Sequence, residues 1–436
     1  MKIAKIKPNK ILKDNVIPLR GSKSITNRTL IISFLTNNET ILQNYSSSDD
    51  SKTIIEFFRK IEAKIEEIDD DTIKIQGILP KLPIKKEIIH NVGPAGTAAR
   101  FLTAFCARFC ESVTLDGSER MRERPMKPLL EVLEKLGAEF EYLGEKYHLP
   151  FRINSIIKNT NDRAVDIPGN ISSQFITALL LISPFLDNIE INITDGLVSE
   201  PYLDMTIDTM NHFGVKVSKY KNAETVRLTI QNGQYYGQTY FIEGDASSAT
   251  YLWGLAAISG SQIGVKNIFK NSIQPDFQFV YVLEKMGCKI SFEDNIVYVR
   301  GNESLSHLNV INMSSMPDSA QTLACVLATV KGKTRLTGLS TLRDKETDRI
   351  SALENELRKI GVKTIAKGDE LVIESDGQIN SARIETYKDH RMAMAFGMLG
   401  IKVPIEIIDP DVVSKSFPEY FNVLEKLGLS VEFVEE

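Results

Sequence analysis

The sequence predicts an α/β protein of two domains, each assembled from three similar units of two helices and about four strands. Three observations predict this class. The chain has 436 residues, 42% of them hydrophobic and 25% charged, which is more than one hydrophobic core usually holds. A helix-start phrase recurs six times, and a helix-end phrase follows each copy. Short β-rich stretches such as 113–115, 225–230 and 296–299 separate the helices.

The first repeated phrase is a Gly or Asp with small polar residues, followed at once by an apolar helical run. Its copies begin at residues 21, 96, 169, 244, 317 and 389, so one unit spans about 73 residues. Six such units account for the whole chain. Grouping them as three plus three predicts a first domain at 21–241 and a second domain at 1–20 plus 242–436, with a break near 240–244.

The second repeated phrase is an amphipathic helix that runs into Gly and then into a β-type alternation. Five copies keep the glycine, at Gly137, Gly214, Gly287, Gly361 and Gly428. The first unit has Lys60-Ile61-Glu62-Ala63 there, and we interpret Ala63 as the residue that replaces Gly.

Composition excludes several classes of protein. The formal net charge of −5 argues against a nucleic-acid partner, because such proteins usually carry a basic surplus. The longest apolar run, 175–186, is too short to span a membrane. The segment 1–12 lacks the apolar stretch of a signal peptide. Four cysteines without metal-ligand spacing indicate buried, reduced thiols. We therefore expect a cytoplasmic protein.

Cationic residues lie beside the helix starts of this otherwise acidic chain. Capping explains the Ser and Asp residues of the starts one by one, and structural salt bridges would explain any single cation. Together the cations favour anion sites, because a helix N-terminus itself attracts negative charge. Arg28 and Arg100 lie within apolar runs and need an anionic partner. The eight cations are Lys23, Arg28, Arg100, Arg124, Lys345, Arg349, Arg391 and Lys415.

Two segments add chemistry to this pattern. The stretch 120–125 is dense in guanidinium groups, whose planar fork suits carboxylate and phosphate. The stretch 345–349 places Lys345 and Arg349 four apart, on one predicted helical face, with Glu346 beside them as an acid or base. Neither a Walker-type phosphate loop nor Gly-x-Gly-x-x-Gly is present, so small anions are favoured over nucleotides.

The combination of motifs resembles the enolpyruvyl transferase family, and within it the 5-enolpyruvylshikimate-3-phosphate synthases (3-phosphoshikimate 1-carboxyvinyltransferases). The resemblance spans nearly the full length. It implies an inside-out α/β barrel fold, with two domains of three βαβαββ units each and an active site in the cleft between them. The motifs are Gly21-Ser-Lys-Ser-Ile-Thr-Asn-Arg28, Ala95-Gly-Thr-Ala-Ala-Arg100, Arg120-Met-Arg-Glu-Arg-Pro125, Ser172-Ser-Gln-Phe-Ile-Thr-Ala-Leu179, Glu243-Gly-Asp-Ala-Ser-Ser-Ala249, Lys345-Glu-Thr-Asp-Arg-Ile350, Asp389-His-Arg-Met-Ala-Met394 and Ser414-Lys-Ser-Phe-Pro418.

The resemblance implies transfer of the enolpyruvyl group of phosphoenolpyruvate to the 5-hydroxyl of shikimate 3-phosphate, within the shikimate pathway of aromatic amino-acid biosynthesis. Both partners are small molecules, and no metal or organic cofactor is expected. No nucleic-acid or membrane partner is expected either. The protein is expected to be a monomer. The implied catalytic residues are Lys23, Asp318, Glu346 and His390. Shikimate 3-phosphate would bind Lys23, Ser24, Arg28, Ser172, Ser173, Gln174, Ser199, Tyr202, Asp318 and Lys345. Phosphoenolpyruvate would bind Lys23, Gly96, Arg124, Gln174, Arg349, Arg391 and Lys415.

The chain departs from the common family pattern at three positions. Pro94 and Thr341 stand where Asn is common, and Phe101 stands where Pro is frequent. These changes bear on affinity and on the response to glyphosate more than on the type of reaction.

Two other functions would fit part of this pattern. The sister enzyme that uses UDP-N-acetylglucosamine has a loop cysteine, whereas 120–125 contains none. A non-catalytic anion-binding protein would lack acid and base residues, yet Lys23, Asp318 and Glu346 are present. The fourth helix start, at Gly244, is expected to be mainly structural.

Overall fold

The computed structural model describes residues 1–9, 15–158, 164–222, 225–231, 233–302 and 304–436. They form two compact units. The continuous unit is Gly21–Ile242, and the discontinuous unit combines Met1–Arg20 with Glu243–Glu436. Residues 10–12 of the segment 1–12, which was examined above for a signal peptide, lie outside the described residues.

The chain passes between the units after Ile242, one residue later than the predicted boundary. Ile242 is fully buried in the core of the continuous unit. Its carbonyl oxygen also accepts a hydrogen bond of 2.9 Å from the Asn44 side chain. These contacts explain why Ile242 belongs with the residues that precede it.

Strands and helices alternate along both units. Two N-terminal strands come first, β1 (Lys2–Lys7) and β2 (Asn15–Pro18). The continuous unit contains α1 (Lys23–Phe34), β3 (Glu39–Gln43), α2 (Asp49–Lys60), β4 (Ile65–Glu67), β5 (Thr72–Gln76), β6 (Ile88–Asn91), α3 (Gly96–Phe109), β7 (Val113–Asp116), α4 (Glu119–Glu123), α5 (Lys127–Lys135), β8 (Phe140–Tyr142), β9 (Phe151–Ile153), β10 (Ala164–Pro168), α6 (Ser173–Ile182), β11 (Glu190–Thr194), α7 (Glu200–His212), β12 (Val217–Lys221), β13 (Val226–Ile230) and β14 (Thr239–Phe241).

The discontinuous unit continues in the same alternation. Its elements are α8 (Ala246–Ser259), β15 (Gln262–Lys266), α9 (Phe279–Met286), β16 (Lys289–Glu293), β17 (Ile296–Arg300), β18 (Val310–Asn312), α10 (Ala320–Ala328), β19 (Lys331–Thr337), α11 (Arg349–Lys359), β20 (Lys363–Lys367), β21 (Glu370–Asp376), β22 (Ala382–Ile384), α12 (His390–Gly397), β23 (Ile405–Ile408), α13 (Tyr420–Lys426) and β24 (Ser430–Glu435).

The described strands form six four-stranded sheets of one topology. In the second repeat, β6 pairs in parallel with β7, and β9 pairs antiparallel with both β7 and β8. The other five sheets repeat this pattern of one parallel and two antiparallel pairs. Their strand orders are β14-β3-β5-β4, β10-β11-β13-β12, β2-β15-β17-β16, β18-β19-β21-β20 and β22-β23-β1-β24. The structure thus contains six βαβαββ repeats, as predicted.

Three of the sheets take one strand from a distant part of the chain. The first sheet is completed by β14, where Thr239 pairs with Ile41. The fourth sheet takes β2, where Asn15 pairs with Ile263, and the sixth takes β1, where Ile3 pairs with Ile408. The two N-terminal strands therefore belong structurally to the discontinuous unit.

The first helix of each repeat forms the core of its unit. Helices α1, α3 and α6 are buried on nearly all sides in the continuous unit, as are α8, α10 and α12 in the discontinuous unit. Such helices turn no polar face to water, and the polar side chains of α1, among them Thr26, Asn27 and Arg28, are buried with it. The predicted apolar run 175–186 is accordingly a core segment, and the four cysteines are buried and free. No helix among the described residues is both long and apolar enough to cross a membrane.

The second helix of each repeat ends in one recurring geometry. In the second repeat, Gly137 adopts φ 99° and donates to the Glu134 carbonyl, while Ala138 donates to the Leu133 carbonyl. This Schellman closure needs a left-handed residue, which favours glycine. In the first repeat the left-handed residue is Glu62, at φ 62°. The assignment of Ala63 to that position was therefore wrong by one residue.

Candidate active site

The six predicted helix starts are observed, and most are capped by side chains. Ser22, Ser172, Asp245 and Asp389 accept hydrogen bonds from backbone N–H groups in the first turns of α1, α6, α8 and α12. Helix α3 begins at Gly96 without a side-chain cap, and α10 follows the 3₁₀ turn Pro317–Ser319. Because the helix interiors are buried, polar side chains at these starts lie at the border of each core.

Lys23 is the first residue of α1, and its ammonium group lies 3.2 Å from the Asp50 carboxylate. Asp50 stands in the first turn of α2 and is 2% exposed. Its other oxygen has no hydrogen-bond partner among the described residues. The sequence interpretation missed Asp50, because an Asp in the first turn of a helix is also what capping and the helix dipole favour.

Arg28 is a buried cation whose observed partners are neutral. Its guanidinium donates to Thr206 Oγ1 at 2.8 Å, to the Ser24 carbonyl at 2.7 Å and to the Tyr202 carbonyl at 3.2 Å. No carboxylate pairs with it in the described parts of the chain, and its side chain lies 5.7 Å from the centre of the Phe101 ring. Burial lowers the pKa of Arg28 to about 10, opposed by Tyr202. An anionic ligand would supply the missing countercharge.

The hydroxyl and amide residues predicted for the first substrate lie on α6 and α7. Ser172 caps α6, Ser173 is 5% exposed, and the Gln174 amide donates to Thr97 at 3.4 Å. Ser199 precedes α7 in a left-handed conformation, φ 54°. Helices α6 and α7 are linked through the hydroxyls of Thr177 and Thr206, 3.0 Å apart, which also hold Arg28.

The start of α3 brings two guanidinium groups close to a glycine. A β-carbon at Gly96 would lie 2.3 Å from Arg100 Nη1 and 2.6 Å from Arg124 Nη1, so a larger residue there would displace the two guanidinium groups. Arg124 is 7% exposed, and no hydrogen bond or ion pair is seen for it within the described residues. Arg100 donates to the Pro125 carbonyl at 2.9 Å and lies over the Phe175 ring. The place suits an anion.

The other two arginines of the 120–125 segment have different surroundings. Arg120 pairs with Glu123, and Arg122 donates two hydrogen bonds to Asp116. Both side chains are more than 40% exposed. Of the three guanidinium groups, only Arg124 is therefore held in the interior.

In the discontinuous unit, Arg349 is the centre of an ionic cluster. It is 2% exposed and donates to Asp389 at 2.7 Å, to Glu346 at 2.9 Å and to Asp318 at 3.1 Å. Burial alone lowers the pKa of Arg349, but the three carboxylates outweigh burial and raise it. The guanidinium therefore stays charged. Asp389, both a helix cap and an arginine partner, was not predicted as a site residue.

Further cations surround the same carboxylates. Arg391 donates to Asp318 at 2.7 Å and to the Tyr251 hydroxyl at 3.3 Å. The Lys345 ammonium group lies 3.7 Å from Asp318, and Lys415 donates to Glu346. Four cations thus face three carboxylates, counting Lys345, Arg349, Arg391 and Lys415 against Asp318, Glu346 and Asp389.

The segment 345–348 is not helical, in contrast to the prediction. Helix α11 begins at Arg349, because the Asp348 side chain accepts hydrogen bonds from the backbone N–H groups of Ile350 and Ser351. Lys345 and Glu346 lie in the turn before this cap. They reach Asp318 and Arg349 through the turn rather than along one helical face.

His390 is the first residue of α12 and is 1% exposed. Its Nδ1 atom lies 3.7 Å from Asp389 Oδ1. The carboxylate that holds Arg349 therefore also adjoins the histidine ring. No group of His, Cys, Asp and Glu in the described parts of the chain is arranged to hold a metal ion.

The predicted site residues thus fall into two sets, one in each unit. In the continuous unit are Lys23, Ser24, Arg28, Gly96, Arg124, Ser172, Ser173, Gln174, Ser199 and Tyr202. In the discontinuous unit are Asp318, Lys345, Glu346, Arg349, His390, Arg391 and Lys415. In the second set, carboxylates join the side chains: Asp318 and Glu346 each contact more than one cation, and Asp389 lies beside both Arg349 and His390. In the first set, Arg28 contacts Ser24 and Tyr202.

The six βαβαββ repeats define an α/β protein of the enolpyruvyl transferase fold. Cations and hydroxyl groups beside several starts of its buried helices suit small anions. Residues 6–424 match the family described as EPSP synthase (3-phosphoshikimate 1-carboxyvinyltransferase). The chain belongs to this family.

Curated relatives agree over nearly the full length. The chloroplastic 3-phosphoshikimate 1-carboxyvinyltransferase of Arabidopsis thaliana is 39% identical over 430 residues, covering 94% of this chain and 82% of the relative. The 3-phosphoshikimate 1-carboxyvinyltransferase of Sulfurovum sp. is 38% identical, covering 97% and 98%. A solved structure of EPSP synthase from Acinetobacter baumannii superposes with a TM-score of 0.83 at 23% identity, covering 100% of both chains. The predicted fold class is confirmed.

Proposed function

We propose that this chain transfers the enolpyruvyl group of phosphoenolpyruvate to the 5-hydroxyl of shikimate 3-phosphate, the activity of its family. The products are 5-enolpyruvylshikimate 3-phosphate and inorganic phosphate. The observation that carries this proposal is the surplus of buried cations at helix starts. Arg28 and Arg124 are 3% and 7% exposed and have no carboxylate partner among the described residues, which is costly unless an anion binds.

The reaction consists of an addition and an elimination. In the addition, the 5-hydroxyl oxygen bonds to C2 of phosphoenolpyruvate, its proton passes to a base, and an acid protonates the C3 methylene. In the elimination, the bond from C2 to the phosphate oxygen breaks and C3 loses a proton, which restores the double bond. The protein must therefore hold two anionic substrates, exchange protons at two atoms and stabilise a departing phosphate.

We assign the substrate contacts by charge and hydrogen-bonding capacity. Arg28 and the serines of α6 suit the phosphate and ring hydroxyls of shikimate 3-phosphate, because a guanidinium fork and hydroxyls together satisfy a phosphate. Arg124, beside Gly96, suits phosphoenolpyruvate, as do Arg349, Arg391 and Lys415.

Lys23, Asp318 and Glu346 are the proposed acid and base groups. The Lys23 ammonium group lies 3.2 Å from the Asp50 carboxylate. Glu346 accepts from Arg349 with one oxygen and from Lys415 with the other. Asp318 binds Arg349 and Arg391 in the same way. Carboxylates held in this manner stabilise positive charge that develops at C2.

The test is release of inorganic phosphate from shikimate 3-phosphate plus phosphoenolpyruvate by the purified protein. Phosphate should appear only when both substrates are present. Replacing the acceptor by UDP-N-acetylglucosamine should give no release, which separates this activity from that of the sister enzyme. Tight binding of both substrates by calorimetry without phosphate release would instead favour a non-catalytic binding protein.

We further propose that the protein acts as a monomer in the cytoplasm. The four free, buried cysteines fit a reducing compartment. Light scattering coupled to gel filtration should give a mass near 48.9 kDa; a mass of twice that value would contradict the monomer.

A further inference from the structure

Asp276 is a buried carboxylate that none of the assigned roles uses. It lies in the 3₁₀ turn Pro275–Gln278, directly before α9, and is 2% exposed. Its Oδ2 atom accepts a hydrogen bond of 2.6 Å from Ser247 Oγ, and its Oδ1 atom accepts one from Ser319 Oγ. One carboxylate thus connects the first turn of α8 with the turn Pro317–Ser319.

The second of these turns carries Asp318, which is next to Ser319 in the chain. Asp318 contacts Lys345, Arg349 and Arg391 in the ionic cluster. Ser319 is fully buried and stands directly before α10, whose first residue, Ala320, is also fully buried. The bond from Ser319 to Asp276 therefore fixes the backbone from which the Asp318 side chain projects.

Asp276 also acts on Asp318 through charge. The groups that face it are Ser247 from α8, Asp318 and Ser319 from the 317–319 turn, and Arg391 from α12. Burial raises the pKa of Asp276, Asp318 raises it further, and Arg391 and the two serines oppose the change. The interaction between two carboxylates is mutual, so the charge of Asp276 favours the protonated form of its neighbour.

We propose that Asp276 is a positioning residue for the transfer reaction: through Ser319 it fixes the turn that carries Asp318, and its charge acts on the neighbouring Asp318 carboxylate. The proposal rests on the proposed function. It gives the fourth helix start a role in the site, because Ser247 in α8 supplies one of the two bonds that hold Asp276 in place.

Asp276→Asn tests the proposal, because Asn keeps the size and one acceptor but removes the charge. Asp294→Asn, in the exposed turn between β16 and β17, is the matched control. We expect Asp276→Asn to lower kcat about tenfold or more with KM values changed less than about threefold, and to move the acidic limb of the kcat profile to lower pH by about half a unit. The control should match the parent protein in all three quantities.

Ser319→Ala separates the two parts of the effect. It breaks one bond to Asp276 but keeps the charge, so kcat should fall while the acidic limb keeps its position. If Asp276→Asn shows no cooperative melting transition, Ser319→Ala decides alone, and an unchanged kcat overturns the proposal. A folded Asp276→Asn that matches the control in kcat and in pH profile overturns it as well.

A second measurement distinguishes failure of this proposal from failure of the proposed function. The carboxyl carbon of Asp318, labelled with ¹³C-aspartate and assigned by its loss in Asp318→Asn, is titrated by NMR. Its midpoint should move to lower pH in Asp276→Asn. An inactive parent protein would remove the proposed function, and the NMR midpoint would still decide the coupling: no movement overturns it.

Discussion

At the scale of single residues, Lys23 is the position where loss of one group should affect chemistry most. It forms an ion pair with Asp50, and methionine keeps an unbranched side chain of similar length at the start of α1. We expect Lys23→Met to lower kcat by about 100- to 10,000-fold, the range for loss of an acid–base group.

The control for this variant is Lys52→Met, which changes an exposed lysine of α2. Its phosphate-release rate should equal that of the parent protein. The control should melt within a few degrees of the parent protein, whereas Lys23→Met should still unfold cooperatively but at a lower temperature, because the buried Asp50 carboxylate loses this cation. Parental rates in Lys23→Met would remove Lys23 from the mechanism.

Arg28→Lys should weaken the binding of shikimate 3-phosphate. Lysine keeps the charge but cannot reproduce the planar fork that reaches Thr206, Thr177 and two backbone carbonyls at once. We expect KM for shikimate 3-phosphate to rise about 10- to 100-fold, with KM for phosphoenolpyruvate nearly unchanged.

Arg227→Lys, at an exposed position of strand β13, is the matched control for Arg28→Lys. It should leave both KM values as they are. Equal rises in both KM values for Arg28→Lys would show that Arg28 does not discriminate between the two substrates.

The sequence located the cations but did not identify two of their carboxylate partners, Asp50 and Asp389. Lys23, Arg28, Arg349 and Arg391 stand out because charge beside an apolar run is unusual. Asp50 and Asp389 do not stand out, because an Asp at a helix start is ordinary capping. Asp276 lies in neither repeated phrase, and its link to Asp318 depends on a fold that brings residues 276 and 319 together.

At the scale of elements, the six Schellman closures allow a direct test of backbone strain. Glu62 holds the left-handed position that glycine holds in the other five repeats. Glu62→Gly relieves about 1–2 kcal/mol of steric cost but adds about 0.5–1 kcal/mol of chain entropy. The free energy of unfolding should therefore rise by about 0.5–1 kcal/mol.

Glu62→Ala is the matched control, because it keeps the strain but removes the exposed ion pair with Lys86. Such pairs contribute little, so denaturant unfolding should show no gain in stability for Glu62→Ala. A gain of equal size in both variants would attribute the effect to the side chain and not to the backbone.

The repeat pattern predicted where the helices of each unit lie better than it predicted their exact first residues. The period of the repeat predicted all six starts, because each start must meet the same packing. It did not predict that α11 begins at Arg349, since Lys345 to Arg349 also fits helical spacing and only the bonds of Asp348 decide. It also could not predict β14 beside β3, because that pairing joins residues about 200 positions apart.

At the scale of the whole molecule, a buried histidine should make the continuous unit sensitive to acid. His90, in β6, is 1% exposed and packs edge-on against Phe57. Burial lowers the pKa of His90 to about 4, with a smaller contribution from Lys60. Above pH 6.5 the ring is neutral in both the folded and the unfolded chain, so it does not change the free energy of unfolding. Below it the unfolded chain binds a proton that the folded chain does not, so stability falls as the pH decreases.

The size of this effect is up to about 3 kcal/mol between pH 6.5 and pH 4. His90→Gln should flatten the dependence of unfolding free energy on pH in this window, measured by urea unfolding. His212→Gln, at an exposed histidine paired with Asp208, should leave the dependence as it is. Equal slopes for His90→Gln and the parent protein would contradict the assignment.

The pairing of β1 with β23 and β24 also affects synthesis of the chain. Ile3 lies opposite Ile408, so β1 leaves the ribosome about 400 residues before its partner strands exist. At usual elongation rates of 5–20 residues per second, that interval is roughly 20–80 s. The continuous unit contains all of its strands once residue 242 has emerged, so it can fold during translation. The core-facing side chains of β1, Ala4 and Ile6, must meanwhile stay out of wrong pairings.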